Sequence, residues 1–187
     1  MRRGFKAESE RIAASVRAEL GLAKIDVLDP WRTAAHKGVL VRGADELGLA
    51  AQHAAQLLVN DPDSWSGMTL AERGMKLIVL NPIHSRARQC ATLMHELAHI
   101  MLDHAPASAV ASVSGMVLLS DYSDDQESEA DWLGAALLLP EAALLHHRGA
   151  GKSAAQIAQM FGVSLDLCNW RCRMTGVEKR LSYRRSA

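Results

Sequence analysis

The chain has 187 residues, 49% of them apolar and only 4% aromatic, and its 21 basic and 21 acidic side chains give a formal net charge of +0. A chain of this length buries one good core, and the charge balance excludes a broad electrostatic footprint for nucleic acid or anionic membrane. The 3 cysteines follow no regular framework, which fits free thiols in a reducing compartment better than a disulfide scaffold.

The first residues, Met1-Arg2-Arg3-Gly4-Phe5-Lys6, are basic but run into Glu8, Ser9, Glu10 and Arg11 instead of an apolar stretch, so no secretory signal is expected. Ile12, Val16 and Leu20 recur every fourth position, which predicts a helix over 8–20 with Gly21 ending it. A short helix is expected to start at Pro30, a strand at 39–41, and an alanine-rich helix over 45–59 with Asp45 as its cap. Segments 66–70 and 76–80 flank a turn-like break at 71–75 and predict a hairpin.

Next, Cys90, Leu93, Met94, Leu97, Ile100 and Met101 fall at helical spacing and make one broad apolar stripe, so this helix belongs to the core. It carries His95-Glu96-Leu97-Ala98-His99. On a helix His99 lies about 40° round from His95, and Glu96 about 60° beyond that. Two imidazoles one turn apart hold a zinc ion from one side, and a glutamate beside them reaches a water, the arrangement of zinc-assisted hydrolysis. The plainer alternative, histidines a turn apart by chance, requires three buried polar groups to find other partners.

The connection between His99 and Glu127 is rich in serine and alanine and contains Pro106 and Gly115. It is expected to be a loop bordering a substrate cleft. Its uncharged run, 105–120, is short and broken for a membrane span, and a cytoplasmic protein follows. Tyr122 offers a phenol that could stabilise the oxyanion of a tetrahedral intermediate; the plainer reading is a surface tyrosine. His104 and His84 are weaker candidates for that role.

A hydrolytic zinc site usually takes a third protein ligand. Segment 124–140 starts acidic, turns alanine- and leucine-rich and ends at Pro140, which reads as a helix with carboxylates at its positive end. Ala130, Asp131, Gly134 and Leu138 lie within about 60° of Glu127, whereas Glu129 points to the opposite side. Glu127 is therefore the candidate ligand, the small Ala130 and Gly134 let this helix approach the histidine helix, and Asp131 can accept a hydrogen bond from the free ring N–H of a liganding histidine. Without the histidines upstream, both acids would be read as ordinary helix-terminal or solvated charges.

Towards the C-terminus, Ser153 begins a helix through Met160, Gly162 turns the chain, and Ser164 caps another helix through about Met174, a helix-turn-helix-like pair. Arg171, Arg173, Lys179, Arg180, Arg184 and Arg185 make the tail basic, the one feature that speaks for DNA. Cys168 and Cys172 sit a turn apart on that helix and, like Cys90, are expected to pack. The expected organisation is a metallopeptidase domain over 1–145 and a helical segment over 146–187 packed on it as one compact unit.

Three blocks of residues resemble a known family. They are Leu77-Ile78-Val79-Leu80-Asn81-Pro82 leading through Arg86, Arg88 and Gln89 to Thr92-Leu93-Met94-His95-Glu96-Leu97-Ala98-His99; then Glu127, Ala130, Leu133-Gly134, Leu137-Leu138 and Pro140; then Gln156-Ile157-Ala158-Gln159-Met160-Phe161-Gly162-Val163-Ser164. The pattern is similar to that of the ImmA/IrrE metallopeptidases, thermolysin-like zincins with two histidines and a glutamate on zinc. Leu133 and Gly134 depart from it, standing where family members more often have phenylalanine and alanine. The resemblance implies an α+β fold, a small and mostly antiparallel sheet against a helical layer. It further implies zinc-dependent endopeptidase activity, with His95, His99 and Glu127 as ligands and Glu96 as base. The implied substrate is a helix-turn-helix transcriptional repressor, whose cleavage derepresses stress, mobile-element or toxin-antitoxin genes. It makes the C-terminal helix pair a packing element, so direct DNA binding and a membrane partner are not expected. The alternative is a non-catalytic, zinc-stabilised regulator or antitoxin-like protein that captures a repressor without cutting it; Glu96 argues against that, since a structural metal needs no base.

Overall fold

The computed structural model describes residues 1–106, 108–111 and 117–186. Strands β1 (Val39–Gly43), β2 (Gly67–Glu72), β3 (Met75–Leu80), β4 (Ser108–Ala111) and β5 (Val117–Ser120) form one sheet in the order β1-β3-β2-β5-β4. The expected hairpin is β2–β3, with Glu72 opposite Met75 across a turn of Arg73 and Gly74. Both turn residues have positive φ, 48° and 85°, the conformation whose twist matches that of the flanking strands. Among the described strands β1 and β3 run parallel and the other ladders are antiparallel, which gives the α+β architecture expected.

Two expectations need correction. The connection after His99 is not simply a loop: β5 pairs with β2, Leu118 opposite Leu70, and β4 with β5. The serine and alanines of β4 carry little β-propensity, but β5, laid on the edge of β2, offers them a ready ladder of backbone groups, and pairing decides strand formation over composition. Residues 107 and 112–116 of that connection, with Gly115, lie outside the described residues. Nor is 45–59 one helix. It holds a 3₁₀ turn (Ala44–Leu47), a short helix α3 (Ala51–Ala55) and a wide turn (Gln56–Asn60). Gly48, left-handed at φ 63°, ends the first turn, and it is Glu46, not Asp45, whose side chain accepts from the backbone N–H of Gly43 at 3.0 Å.

The helical layer begins with α1 (Phe5–Glu19), which starts earlier than its periodicity suggests because Gly4 is left-handed and Phe5 is fully buried. Helix α2 (Pro30–His36) is capped by Asp29, and α4 (Arg86–Met101) by Ser85. Helix α4 lies on β2 and β3, and α5 (Asp124–Leu138) lies between α4 and α1. From Trp132 to Leu138 every residue of α5 is buried, as in a helix surrounded by protein, while its first two turns carry acids. The candidate site sits where that helix leaves the core. Gly134 makes the close approach possible: a Cβ there would stand 3.0 Å from the Met94 carbonyl oxygen and 3.1 Å from the His95 nitrogen.

The C-terminal part comprises α6 (Glu141–Gly149), α7 (Ala154–Phe161), α8 (Leu165–Thr175) and α9 (Val177–Ser186), with Ser153 and Ser164 as caps and Gly162 left-handed between α7 and α8. Position 145 falls within α6. Arg171 is an internal tie: fully buried, it donates from Nε to the Leu139 carbonyl at 2.9 Å and pairs with Glu10, whose other oxygen accepts from the Glu141 backbone N–H at 2.9 Å. Arg180 pairs with Glu141. The side chains of Arg184 and Arg185 lie outside the described ones. Cys90, Cys168 and Cys172 are free and buried, as expected. Among the described residues, no helix is long and apolar enough to cross a membrane.

Candidate metal centre

Helix α4 presents His95 and His99 a turn apart, with Leu93, Met94, Leu97 and Ala98 fixing its rotation by burial. Helix α5 brings Glu127 to the same point from the other side. His95 Nε2 lies 3.1 Å from His99 Nε2 and 3.2 Å from Glu127 Oε2, and His99 Nε2 lies 3.7 Å from Glu127 Oε1. The three groups could hold a metal ion. A tetrahedral ion bound at about 2.0 Å spaces its ligands roughly 3.3 Å apart, and the three distances straddle that value. The donor chemistry also fits, since three lone-pair-bearing atoms face one another with at most a proton to share between the rings.

The surroundings prepare each ring. His95 Nδ1–H donates to Asp131 Oδ1 at 2.9 Å, which turns Nε2 inward. Burial alone would lower the His95 pKa, but the Asp131 hydrogen bond and the charges of Asp131, Glu96 and Glu127 outweigh it and leave it raised. His99, only 2% exposed, is driven the other way: burial first, then His95 and His104, push its pKa down to about 3, so it stays neutral with a lone pair free. Glu127 is 44% exposed and Asp131 70%, so the site opens to solvent on the α5 side.

Glu96 is partly buried beside the rings, and burial raises its pKa despite the 2.6 Å hydrogen bond that Thr69 Oγ1 donates to its Oε2. Thr69 is fully buried on β2, so the sheet itself aims this carboxylate. Tyr122 stacks on His99, centroids 3.8 Å apart and planes 22° from parallel. Burial, then the charges of Glu96 and Glu127, push its phenol up to about 12, which keeps it a donor at neutral pH.

The expected residues His95, Glu96, His99, Glu127, Asp131 and Tyr122 thus come together. His84 does not: it lies before the start of α4, buried near Asn81 and Asp63. Sequence reasoning missed Glu129 and Thr69. Glu129 does point away from Glu127, but into protein, where it pairs with Arg2 and approaches His104. Its signal is weak, an acid two positions from the ligand; Thr69, on a strand distant in sequence, has none.

The family model described as the IrrE N-terminal-like domain matches residues 51–173, which include both helices of the site. The chain belongs to the ImmA/IrrE family. That is a metallopeptidase-type family, and His95, His99 and Glu127 of this member lie within the matched stretch. A search of curated proteins gives no match.

Proposed function

We propose that this ImmA/IrrE-family protein is a cytoplasmic, zinc-dependent endopeptidase whose substrate is a helix-turn-helix transcriptional repressor, cut to derepress stress, mobile-element or toxin-antitoxin genes. The observation that carries the reading is the convergence of His95, His99 and Glu127 beside a glutamate already aimed by Thr69. A structural metal centre needs no such oriented base. When bound, zinc supplies Lewis acidity, withdrawing electron density from the scissile carbonyl and making water a better proton donor. His95, His99 and Glu127 would hold the ion, and Asp131 fixes the tautomer of His95.

Glu96 takes a proton from water as the water oxygen attacks the peptide carbonyl, then delivers it to the departing amine nitrogen. Its raised pKa suits both halves of that cycle, since the acid formed must give the proton back. The Tyr122 hydroxyl is a donor for the oxyanion. The exposed side of the site, by Glu127 and Asp131, admits a segment of polypeptide.

The test is to incubate the zinc-loaded protein with the repressor encoded beside it and to weigh the products, with Glu96→Gln as control. Two fragments that sum to the repressor plus one water, absent with the control, support the proposal. Stable binding without fragments favours the non-catalytic regulator instead.

A further inference from the structure

Beyond the ligands, a line of side chains leads away from His99 through the protein. His99 Nδ1 lies 3.0 Å from His104 Nδ1. On the far side of that second ring, His104 Nε2 is buried, makes no hydrogen bond among the described residues, and stands 3.5 Å from Glu129 Oε2. Glu129 is 4% exposed and is held by Arg2, whose backbone N–H reaches Oε1 at 2.8 Å and whose Nε reaches Oε1 and Oε2 at 3.0 and 3.1 Å. Three elements therefore meet behind His99: the end of α4, the outer side of α5 and the residues before α1.

We infer that His104, backed by Glu129 and Arg2, is a positioning residue that fixes His99 as the Nδ1–H tautomer. This rests on the zinc reading above. A neutral imidazole has one N–H and one lone pair, so of two Nδ1 atoms in contact one must donate. His99 must keep the lone pair on Nε2, which faces His95 Nε2 and Glu127, so its proton belongs on Nδ1 and is donated to His104. His104 then accepts on Nδ1 and carries its own proton on Nε2, pointing at the Glu129 carboxylate. The Arg2 backbone N–H and the Nε–H shared between both oxygens keep that carboxylate oriented, and a buried anion with no partner on the His104 side would be costly. The two liganding histidines are thus oriented differently: His95 by Asp131 directly, His99 by a carboxylate acting through a second ring.

The experiment has two parts. In the metal-free wild type, ring ¹⁵N shifts must show His99 as the Nδ1–H tautomer and His104 as the Nε2–H tautomer; the reverse assignment at either ring overturns the inference without any variant. Zinc affinity is then measured by competition with a chromophoric chelator for wild type, His104→Phe and His104→Asn. Phenylalanine fills the space but cannot accept, and should weaken zinc by about 10–100-fold, the usual cost of losing a partner behind a liganding histidine. Asparagine places its Oδ1 near the lost Nδ1, and should recover most of the affinity. Equal affinity for wild type and His104→Phe, or equal loss in both variants, overturns the inference. Wild type that fails to bind zinc at all refutes the zinc reading instead, so the two failures are distinct.

Discussion

Replacing Gly134 with valine tests whether helix contact, and not merely residue identity, sets the site. The added Cβ would meet the Met94 carbonyl oxygen at 3.0 Å and the His95 nitrogen at 3.1 Å, both backbone atoms of α4 that cannot swing aside. Ordinary contact needs roughly 3.5 Å, so α5 must retreat by about half an ångström for alanine and further for the branched side chain. Overpacking costs about 1–3 kcal/mol, and for alanine a gain of about 1 kcal/mol in helix propensity offsets part of it. Valine recovers less of that gain and adds two methyls, so its net cost is about 3 kcal/mol, or roughly 6–12 °C in Tm for a chain of this size. Glu127 lies two turns N-terminal on the same side of α5, and its 3.2 Å spacing to His95 opens with the helix. Zinc affinity should therefore fall about tenfold. Thermal melts and chelator competition on wild type, Gly134→Ala and Gly134→Val check the order. A valine variant that melts and binds zinc like wild type would falsify the close-contact argument.

Three further outcomes are expected. Thr69→Val removes the hydroxyl that holds the Glu96 carboxylate in its charged form, so the Glu96 pKa rises and the acid limb of the kcat/KM profile moves to higher pH; an unmoved limb contradicts the assigned hydrogen bond. His84 is buried, and burial together with Arg88 lowers its pKa below the unfolded value near 6.5 despite Asp63. Its contribution to stability is thus present above about pH 6.5 and is lost as pH falls through the folded pKa, so urea midpoints of His84→Gln should decline less than those of wild type between pH 7 and 5; parallel declines contradict this. Arg171→Met strands Glu10 and the Leu139 carbonyl and should destabilise the fold by about 3 kcal/mol in urea titration, whereas a change under 1 kcal/mol would show that the buried tie contributes little.

The parts of the molecule readable from sequence are those that one element decides alone. The apolar stripe from Cys90 to Met101 fixes the rotation of α4, and with it the side on which His95 and His99 emerge. Glu127 and Asp131 follow from helical spacing on α5, and Ser153, Gly162 and Ser164 mark the ends of their helices by capping chemistry. What escaped depends on partners far away in the chain. Strand β5 exists because β2 presents an edge to it, and β4 because β5 does; neither Ser108-Ala109-Val110-Ala111 nor Val117-Leu118-Leu119-Ser120 alternates polar with apolar residues to announce it. The stretch 45–59 looked like a helix because alanine dominates its composition, yet Gly48 takes a left-handed conformation that interrupts it. Helical spacing places Glu129 on the side opposite Glu127 but does not tell what covers that side; Arg2 and His104 do.

The most direct test is the zinc content of the purified protein by native mass spectrometry, wild type beside Glu96→Gln and Glu127→Ala. One zinc per chain in wild type and in Glu96→Gln, and none in Glu127→Ala at equimolar metal, is the predicted result. A wild type that binds no zinc, or a Glu127→Ala variant that holds it as firmly as wild type, would contradict the account.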